Sequence, residues 1–148
     1  MLTILRTTSE HQDFIKLTAL FDEYLIDIDG DEKDFFASYN QIPLDHVVIC
    51  YENDLAIGCG AFKKHPNNTV ELKRMFVIPE HRGKGAANLI IDELELWATE
   101  LKNNTVLLET AVKLLDAIRL YTKKGYYKID NYEQYIGVES SYCMQKII

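Results

Sequence analysis

Residues 70–101 read VELKRMFVIPEHRGKGAANLIIDELELWATEL, a stretch that predicts a strand, a loop with two glycines and a helix in succession. The strand is expected over 70–78, where β-branched and aromatic residues are frequent and neither Gly nor Pro interrupts them. Pro79 ends the strand, because a proline ring has no N–H for the strand ladder. From Ala86 to Leu101 apolar residues recur at helical spacing, so a helix begins directly after the loop.

The loop between this strand and this helix, residues 80–85, has the composition of an anion-binding site. Gly83 and Gly85 have no Cβ, so the backbone can adopt positive φ there and approach a phosphate group closely. The first N–H groups of a helix lack intrahelical acceptors, and the helix dipole adds partial positive charge to them. Arg82 and Lys84 add formal charge. The loop predicts a phosphate-bearing ligand; an ordinary left-handed turn with solvated cations is the alternative interpretation.

Length, charge and cysteine content limit the classes to which this protein could belong. Its 148 residues predict one domain, 1–148, with a sizeable core. The formal net charge of −7 argues against a nucleic-acid-binding protein, since affinity for phosphate backbones comes mainly from surplus Lys and Arg. The odd number of cysteines without CxxC spacing argues against a disulfide framework and a zinc site (Cys50, Cys59, Cys143). Without an apolar leader or a run of about 20 apolar residues, we expect a cytoplasmic protein without membrane contact.

An acidic segment overlaps the end of the first predicted helix. Residues 22–34 contain seven carboxylates and one lysine. The run DIDGDEKD within it does not fit a calcium loop, because its glycine lies one place early and no glutamate closes it, so no metal is expected. We expect instead that Asp29 or Asp31 caps a second short helix that ends near Tyr39.

Hydrophobic patterns place the other elements. Ser9 is expected to cap a first helix that continues to about Ile26. A later helix is expected over 113–124, ended by Gly125. Strands are expected over 2–5, 46–52, 55–64, 105–110, 126–129 and 142–148. This order predicts an α+β fold with one mixed central β-sheet flanked by helices on both faces. The crossovers through the two later helices should make the strands that flank each of them parallel.

Two motifs carry a resemblance that covers much of the chain. In MFVIPEHRGKGAANLI, residues 75–90, three positions fill the pattern R/Q-x-x-G-x-G/A (Arg82, Gly85, Ala87). In AIRLYTKKGYYKI, residues 117–129, five positions fill A-x-x-L-Y-x-x-x-G-F/Y (Ala117, Leu120, Tyr121, Gly125, Tyr126). Together these motifs resemble those of the GNAT superfamily of N-acetyltransferases. Walker and Rossmann loops fit less well, because GxxxxGK[S/T] is lacking and Asn88 stands where the last glycine of GxGxxG would be.

The resemblance implies a GNAT-like acyl-CoA N-acyltransferase fold with acetyl-CoA as co-substrate and no metal. It implies that the loop and the first helical turn hold the coenzyme A pyrophosphate, mainly through backbone amides (Arg82, Gly83, Lys84, Gly85, Ala86, Ala87, Asn88). It also implies that the strand edge at Met75, Phe76 and Val77 pairs with the pantetheine arm like an added strand, and an N–H there could stabilise the reaction's oxyanion. Leu114 departs from the family pattern, which often has Asn there, so a changed pantetheine contact is expected.

Tyr121 matches the family's general acid, which protonates the departing thiolate. The pKa of a phenol, near ~10, exceeds that of a thiol, near ~8.5, by about 1.5 units, so proton transfer to the thiolate costs about 2 kcal/mol. Desolvation of the thiolate would narrow this difference. The residues alone allow another interpretation, since Tyr121 shares a helix face with apolar residues and could belong to the core (Leu114, Ala117, Ile118).

Two carboxylates, Glu109 and Glu71, are candidates for the general base that deprotonates the amine. Glu109 ends the strand before the helix of Tyr121 and matches the position where some family members place a base. Glu71 lies on the central strand, where period-two alternation predicts that it shares a face with the alternate residues (Lys73, Met75, Val77). Either carboxylate could instead pair with Lys73 or Arg74, and a water relay could replace both.

The leading hypothesis is an enzyme that transfers an acetyl group from acetyl-CoA to a primary amine by direct attack in a ternary complex. The alternative is a non-catalytic acyl-CoA-binding or regulatory domain. The acceptor is expected to be a small-molecule or peptide amine. The acidic segment 22–34 favours a cationic acceptor, unless it is simply a solvated helix face. The sequence is compatible with both a monomer and a homodimer.

Overall fold

The computed structural model describes residues 1–29 and 43–148, and their strands form one seven-stranded sheet. The strands are β1 (Leu2–Thr7), β2 (His46–Glu52), β3 (Leu55–His65), β4 (Thr69–Val77), β5 (Thr105–Ala111), β6 (Tyr127–Ile129) and β7 (Ser141–Ile147). The helices are α1 (Gln12–Asp29), α2 (Ala86–Glu100) and α3 (Leu115–Lys123), with short 3-10 turns at Pro79–His81 and Glu133–Tyr135. The predicted α+β fold is confirmed. The second short helix expected before residue 39, with its acidic run from residue 30, lies outside the described residues.

Helix α1 begins three residues later than its predicted cap. Ser9 does not cap it, because the Ser9 hydroxyl accepts a hydrogen bond from the N–H of Leu44 (2.9 Å) and the N–H of Ser9 donates to the carbonyl of Leu44 (2.9 Å). Nδ1 of His11 accepts from the N–H of Asp13 (3.1 Å), so a histidine ring satisfies one of the first helical donors instead. The hydroxyl of Ser9 thus ties the chain before α1 to the chain before β2.

The sheet order is β1-β2-β3-β4-β5-β7-β6, with β1 to β4 antiparallel. Strands β4 and β5 are parallel, as predicted for the crossover through α2. The strands that flank α3 also have the predicted relative direction, but β7 lies between β5 and β6 and is antiparallel to both. Strands β5 and β6 therefore run in the same direction without being neighbours.

Two apolar layers cover the two faces of the sheet. Helix α2 packs on one face through its buried residues (Ala86, Ile90, Ile91, Leu94, Ala98), and Tyr121 of α3 belongs to the same cluster. Helix α1 packs on the other face, where Phe14 and Leu17 contact side chains of β2, β3 and β4 (Val47, Ile49, Cys59, Ala61, Phe76). Across residues 1–29 and 43–148, no helix combines the length and apolar character needed to cross a bilayer.

A β-bulge at Arg74 changes which side chains of β4 share a face. Ala61 pairs with Lys73 and Cys59 with Phe76, so Arg74 and Met75 lie opposite the single residue between them on β3, and Arg74 has φ of 56°. The extra residue reverses the alternation. Residues on the N-terminal side of the bulge face α1 (Glu71, Lys73), whereas two that follow it pack in the α2 cluster (Met75, Val77). The prediction that these four share one face is wrong, because strict alternation holds only in an unbulged strand.

Strands β4 and β5 separate after three residue pairs. Their parallel ladder joins Thr69–Glu71 to Thr105–Leu107 and ends there. Beyond it, β4 continues to Val77 and β5 to Ala111, each bonded to its other neighbour. The two strand ends therefore leave a wedge in the middle of the sheet, with backbone groups of both strands directed into it.

Candidate active site

A cavity occupies this wedge, and its volume of about 850 Å³ is typical of a small-molecule site. Twelve of the thirteen residues that the sequence analysis selected line it (Glu71, Met75, Phe76, Val77, Arg82, Gly83, Gly85, Ala86, Ala87, Asn88, Glu109, Tyr121). The thirteenth, Lys84, is not in the lining. On the side of α2 and α3 the cavity is lined by Tyr121 and by residues of the loop 80–85, called the glycine loop below. On the side of α1 it is lined by Phe21, Tyr24 and the charged residues of β4 (Glu71, Lys73, Arg74).

The glycine loop has the open backbone that the sequence predicts. Gly83 and Gly85 have φ of 82° and 91°, and a Cβ built on either would have no atom within 4 Å. Gly85 is the N-cap residue of α2, and a glycine has no side chain with which to cap the helix. The first residues of α2 line the cavity, and their amides have no capping side chain from Gly85, which is the arrangement that binds a phosphate at a helix start.

The two cations of the loop are held by the protein's own groups. Nε of Arg82 donates to the carbonyl of Val77 (3.0 Å), and its guanidinium lies over the ring of Tyr24 (5.1 Å from Cζ to the centroid). Nζ of Lys84 donates to the carboxylate of Glu52 (2.8 Å). The hydrogen bond from Lys84 lowers the pKa of Glu52. Arg82 thus stays beside the cavity, whereas Lys84 is directed away from it.

Tyr121 is buried at the wall of the cavity, with 6% of its surface exposed. Its ring meets that of Tyr126 edge to face, with centroids 5.8 Å apart. Burial raises the pKa of Tyr121, and the negative charge of Glu109 raises it further. Tyr121 therefore keeps its proton at neutral pH and can offer it to a group in the cavity.

The two candidate bases have different surroundings. Glu109 is half-buried on β5 and accepts a hydrogen bond from the hydroxyl of Ser141 (2.7 Å). Glu71 is only 1% exposed, and both of its oxygens have partners: Oε1 lies 2.8 Å from Nε2 of His65, and Oε2 accepts from the hydroxyl of Tyr135 (3.2 Å).

Lys73 completes the surroundings of Glu71. Its Nζ lies 3.3 Å from Oε2 of Glu71 and donates to the hydroxyl of Tyr135 (3.0 Å). Burial by itself raises the pKa of Glu71, but the hydrogen bond from His65 and the charge of Lys73 outweigh burial and hold the pKa below its ordinary value. The pairing with Lys73 that the sequence allowed is therefore present, and it keeps Glu71 ionised and a weak base.

Two functional contacts were missed by the sequence analysis. Tyr135 lines the cavity and bridges Lys73 to Glu71, although it is 62 and 64 residues away from them in the chain. The aromatic run NYEQY at 131–135 was its only local signal, since nothing in that run fixes its distance from β4. The bulge that directs Arg74 towards α1 was missed as well, because the sequence pattern of β4 is compatible with regular alternation.

Comparisons with known proteins agree with this geometry. The family model described as the acetyltransferase (GNAT) family matches residues 14–126. An N-acetyltransferase of Schizosaccharomyces pombe is 33% identical over 84 residues, which cover 55% of this chain and 50% of that protein, so the matched part spans half of that relative's length. A protein of Azospirillum brasilense named IAA acetyltransferase is 28% identical over 84% of this chain and 83% of its own. The crystal structure of a Klebsiella pneumoniae protein described as an acyl-CoA N-acyltransferase has a TM-score of 0.85 and 27% identity, covering 99% and 97% of the two chains.

Proposed function

The chain belongs to the acetyltransferase (GNAT) family, and we propose that it transfers an acetyl group from acetyl-CoA to a primary amine, with both substrates bound at the same time. Members of this family use acetyl-CoA. The observation that carries the proposal is the wedge between β4 and β5: it reaches the glycine loop on one face of the sheet and carboxylates on the other. A wedge that is open to both faces of the sheet lets an amine bound on one face attack a thioester bound on the other, with both substrates in the site.

The residues of this chain fit acetyl-CoA at two points. The empty space above Gly83 and Gly85, next to the uncapped start of α2, suits a pyrophosphate held by the amides of 83–88, with Arg82 beside them. The edge of β4 at 75–77 has no ladder partner on the β5 side among the described residues, so its backbone groups suit the amides of the pantetheine arm. Leu114 also lines the cavity and offers an apolar contact where the family often has Asn.

Tyr121 acts as the proton donor in this proposal. When acetyl-CoA is bound, its thioester supplies the acetyl group and the thiol is the leaving group. The hydroxyl of Tyr121 protonates that sulfur as the bond to the acetyl carbon breaks. Burial raises the pKa of Tyr121, but the same dry surroundings also raise the pKa of a thiol, so the two stay close enough for proton transfer.

Glu109 is the better candidate for the group that accepts a proton from the amine. An alkylamine near pKa ~10.4 is mostly protonated at neutral pH and must lose a proton before attack. Glu109 lines the cavity beside Tyr121 and is half-buried, so it can exchange protons with water. Glu71 is fully buried and would have to give up its bonds with His65, Tyr135 and Lys73 to accept a proton.

Release of free thiol from acetyl-CoA, measured with the purified protein and a panel of primary amines, tests the proposal. We expect thiol release that depends on the amine and an acetylated amine as product. Coenzyme A binding without thiol release for any amine would contradict acetyl transfer and would favour a non-catalytic acyl-CoA-binding domain. A ternary-complex mechanism further predicts intersecting, not parallel, double-reciprocal plots when both substrates are varied, since parallel lines would indicate a covalent acetyl-enzyme.

A further inference from the structure

We propose that the amine acceptor of this enzyme carries a carboxylate, and that the guanidinium of Arg74 binds this carboxylate. The inference rests on the proposed acetyl transfer and names the class of acceptor, an amino acid or another amino carboxylic acid. It is carried by a buried donor of Arg74 that has no partner among residues 1–29 and 43–148.

The bulge of β4 brings Arg74 to the α1 side of the cavity, where we place the amine acceptor. Because Arg74 has φ of 56°, its side chain points to the same face as that of Lys73, although the two are consecutive. A positive φ is costly for a residue other than glycine, by roughly 1–2 kcal/mol. Both residues line the cavity, on the side that α1 covers.

The guanidinium of Arg74 is held rigidly through one of its two terminal nitrogens. Nη2 donates to the carbonyl of Thr18 (2.9 Å) and to the carboxylate of Asp22 (2.8 Å). Its Cζ lies 4.9 Å from the centroid of the Phe21 ring, and only 4% of the side chain is exposed. Three contacts with α1 therefore fix the plane of the guanidinium before any ligand binds.

The other terminal nitrogen, Nη1, is buried and has no hydrogen-bond partner among the described residues. A buried donor without an acceptor is costly, and more so when it is charged. Asp22 offsets the charge only in part, because 59% of its side chain is exposed and water screens the pair. A tether between α1 and β4 would need only Nη2, so the unpaired Nη1 points to a ligand that supplies an oxygen.

The charges around the cavity fit a ligand with a positive and a negative end. Lys73 pairs with Glu71, so these two charges offset each other within the protein. Arg74 is the other cation that β4 contributes to the lining, on the side of α1, and Glu109 is the carboxylate that β5 contributes. The lining also contains Arg82, Lys113, Asp116 and Arg119. An amine placed near Glu109 and the thioester would leave a carboxylate of the same molecule free to reach Arg74. Guanidinium groups bind carboxylates through paired, charge-assisted hydrogen bonds.

The test compares L-amino acids with their carboxamides, which keep the amine and the side chain but lack the negative charge. For the wild-type protein we expect kcat/KM, corrected for the free-amine fraction, to be about 10- to 100-fold higher for the amino acid, as for a site with a buried charged donor that the analogue leaves unpaired. Calorimetry of each compound against the protein with coenzyme A bound gives a second readout, which does not depend on turnover. In calorimetry the Kd of the carboxamide should exceed that of the amino acid by about the same 10- to 100-fold factor.

Two variants separate ligand binding from tethering. Arg74→Gln should raise KM for the amino acid and leave KM for the carboxamide nearly unchanged, so that the preference disappears. Asp22→Asn removes the other end of the same ion pair and should not raise KM for the amino acid, because Thr18 and Phe21 still hold the guanidinium and Nη1 stays available to the ligand. If Arg74 were only a tether, both variants would change KM for the two compounds equally. Arg74→Lys keeps the charge and should retain part of the preference if Gln prevents folding.

The outcomes for the two proposals are distinct. Acetylation of amino acid and carboxamide with equal efficiency by the wild-type protein would overturn the carboxylate inference and leave acetyl transfer intact. Carboxylate-dependent binding in calorimetry without any thiol release would support the inference and overturn the proposed activity. If the protein neither binds nor acetylates any amino acid, the inference is overturned, whatever other amine is acetylated.

Discussion

Tyr121→Phe removes one oxygen atom from a buried ring and keeps its packing against Tyr126. If the hydroxyl protonates the departing thiolate, we expect kcat to fall by about 10²- to 10⁴-fold, the usual range for a lost general acid, with the affinity for coenzyme A nearly unchanged. Thiol release gives kcat and calorimetry gives the affinity. Tyr127→Phe is the matched control, because Tyr127 is 48% exposed and outside the cavity lining. A kcat for Tyr121→Phe equal to that of the control would remove Tyr121 from the mechanism.

Glu71 contributes to stability in a pH-dependent way. Its pKa in the folded protein lies below the ordinary value of 4.5, so its contribution is complete above that value and is lost as the pH falls through the folded pKa. Glu71→Gln breaks a buried ion pair and should lower the free energy of unfolding at pH 7 by about 3 kcal/mol. Below the folded pKa the difference between the variant and the wild type should shrink.

Urea unfolding at several pH values between 3 and 7 measures this difference. Glu52→Gln is a comparison at a carboxylate whose pKa is also lowered, but on the surface beside Lys84, where the effect on stability should be small. A Glu71→Gln effect that is the same at pH 3 and pH 7 would show that the ionised carboxylate is not the source of the stabilisation.

At the level of elements, a glycine of the glycine loop can be compared with a glycine elsewhere that has the same backbone conformation. Gly83 and Gly137 have the same φ of 82°, and a Cβ on either would have no atom within 4 Å. Alanine at each position should therefore cost similar conformational energy, about 1 kcal/mol. Only Gly83 lines the cavity, so we expect Gly83→Ala to raise KM for acetyl-CoA about tenfold or more by occupying the space of a phosphate, whereas Gly137→Ala should not. Thermal unfolding checks that the two substitutions destabilise the protein equally. Equal KM values for acetyl-CoA in the two variants would contradict a phosphate site at Gly83.

The bulge of β4 shows where sequence patterns stop being sufficient. The bounds of β2, β3, β4 and α2 follow from alternation, helical spacing and turn residues, which act over a few positions. The bulge depends instead on the facing strand: a Cβ at Gly60 would overlap the side chain of Met75, so glycine leaves the room that Met75 fills. A pattern read along β4 alone contains no information about Gly60, and the prediction for its faces failed for that reason.

At the scale of the whole molecule, the candidate site combines what was predictable with what was not. Tyr121 and the loop 82–88 could be selected as candidates from the sequence because each motif lies within one local segment. The network of Glu71 joins side chains from β3, β4 and the segment before β7, namely His65, Lys73 and Tyr135. Such contacts depend on the order of strands, and the position of β7 between β5 and β6 was not implied by the chain order. Tertiary contacts of this kind decide which carboxylate is available as a base.

The wedge also divides the sheet into two halves, which a bound coenzyme should connect. Strands β4 and β5 share a ladder of only three residue pairs, so a pantetheine arm along 75–77 would supply hydrogen bonds that the sheet itself lacks. A ligand at 100 times its Kd stabilises the folded protein by about 2.7 kcal/mol. For a chain of this size we therefore expect coenzyme A to raise Tm by roughly 5–10 °C.

Amide hydrogen exchange locates this stabilisation. Coenzyme A should protect the amides of both 83–88 and 75–77, because the pyrophosphate contacts the loop and the pantetheine arm contacts the strand edge. Adenosine 3′,5′-bisphosphate, which lacks the pantetheine arm, is the matched control and should protect the loop at most. Residues 46–52 of β2 are already paired on both sides, so their exchange should change little with either ligand. Protection confined to 83–88 with coenzyme A would show that the arm does not extend the sheet, since strand-like pairing requires that the β4 amides become slower to exchange.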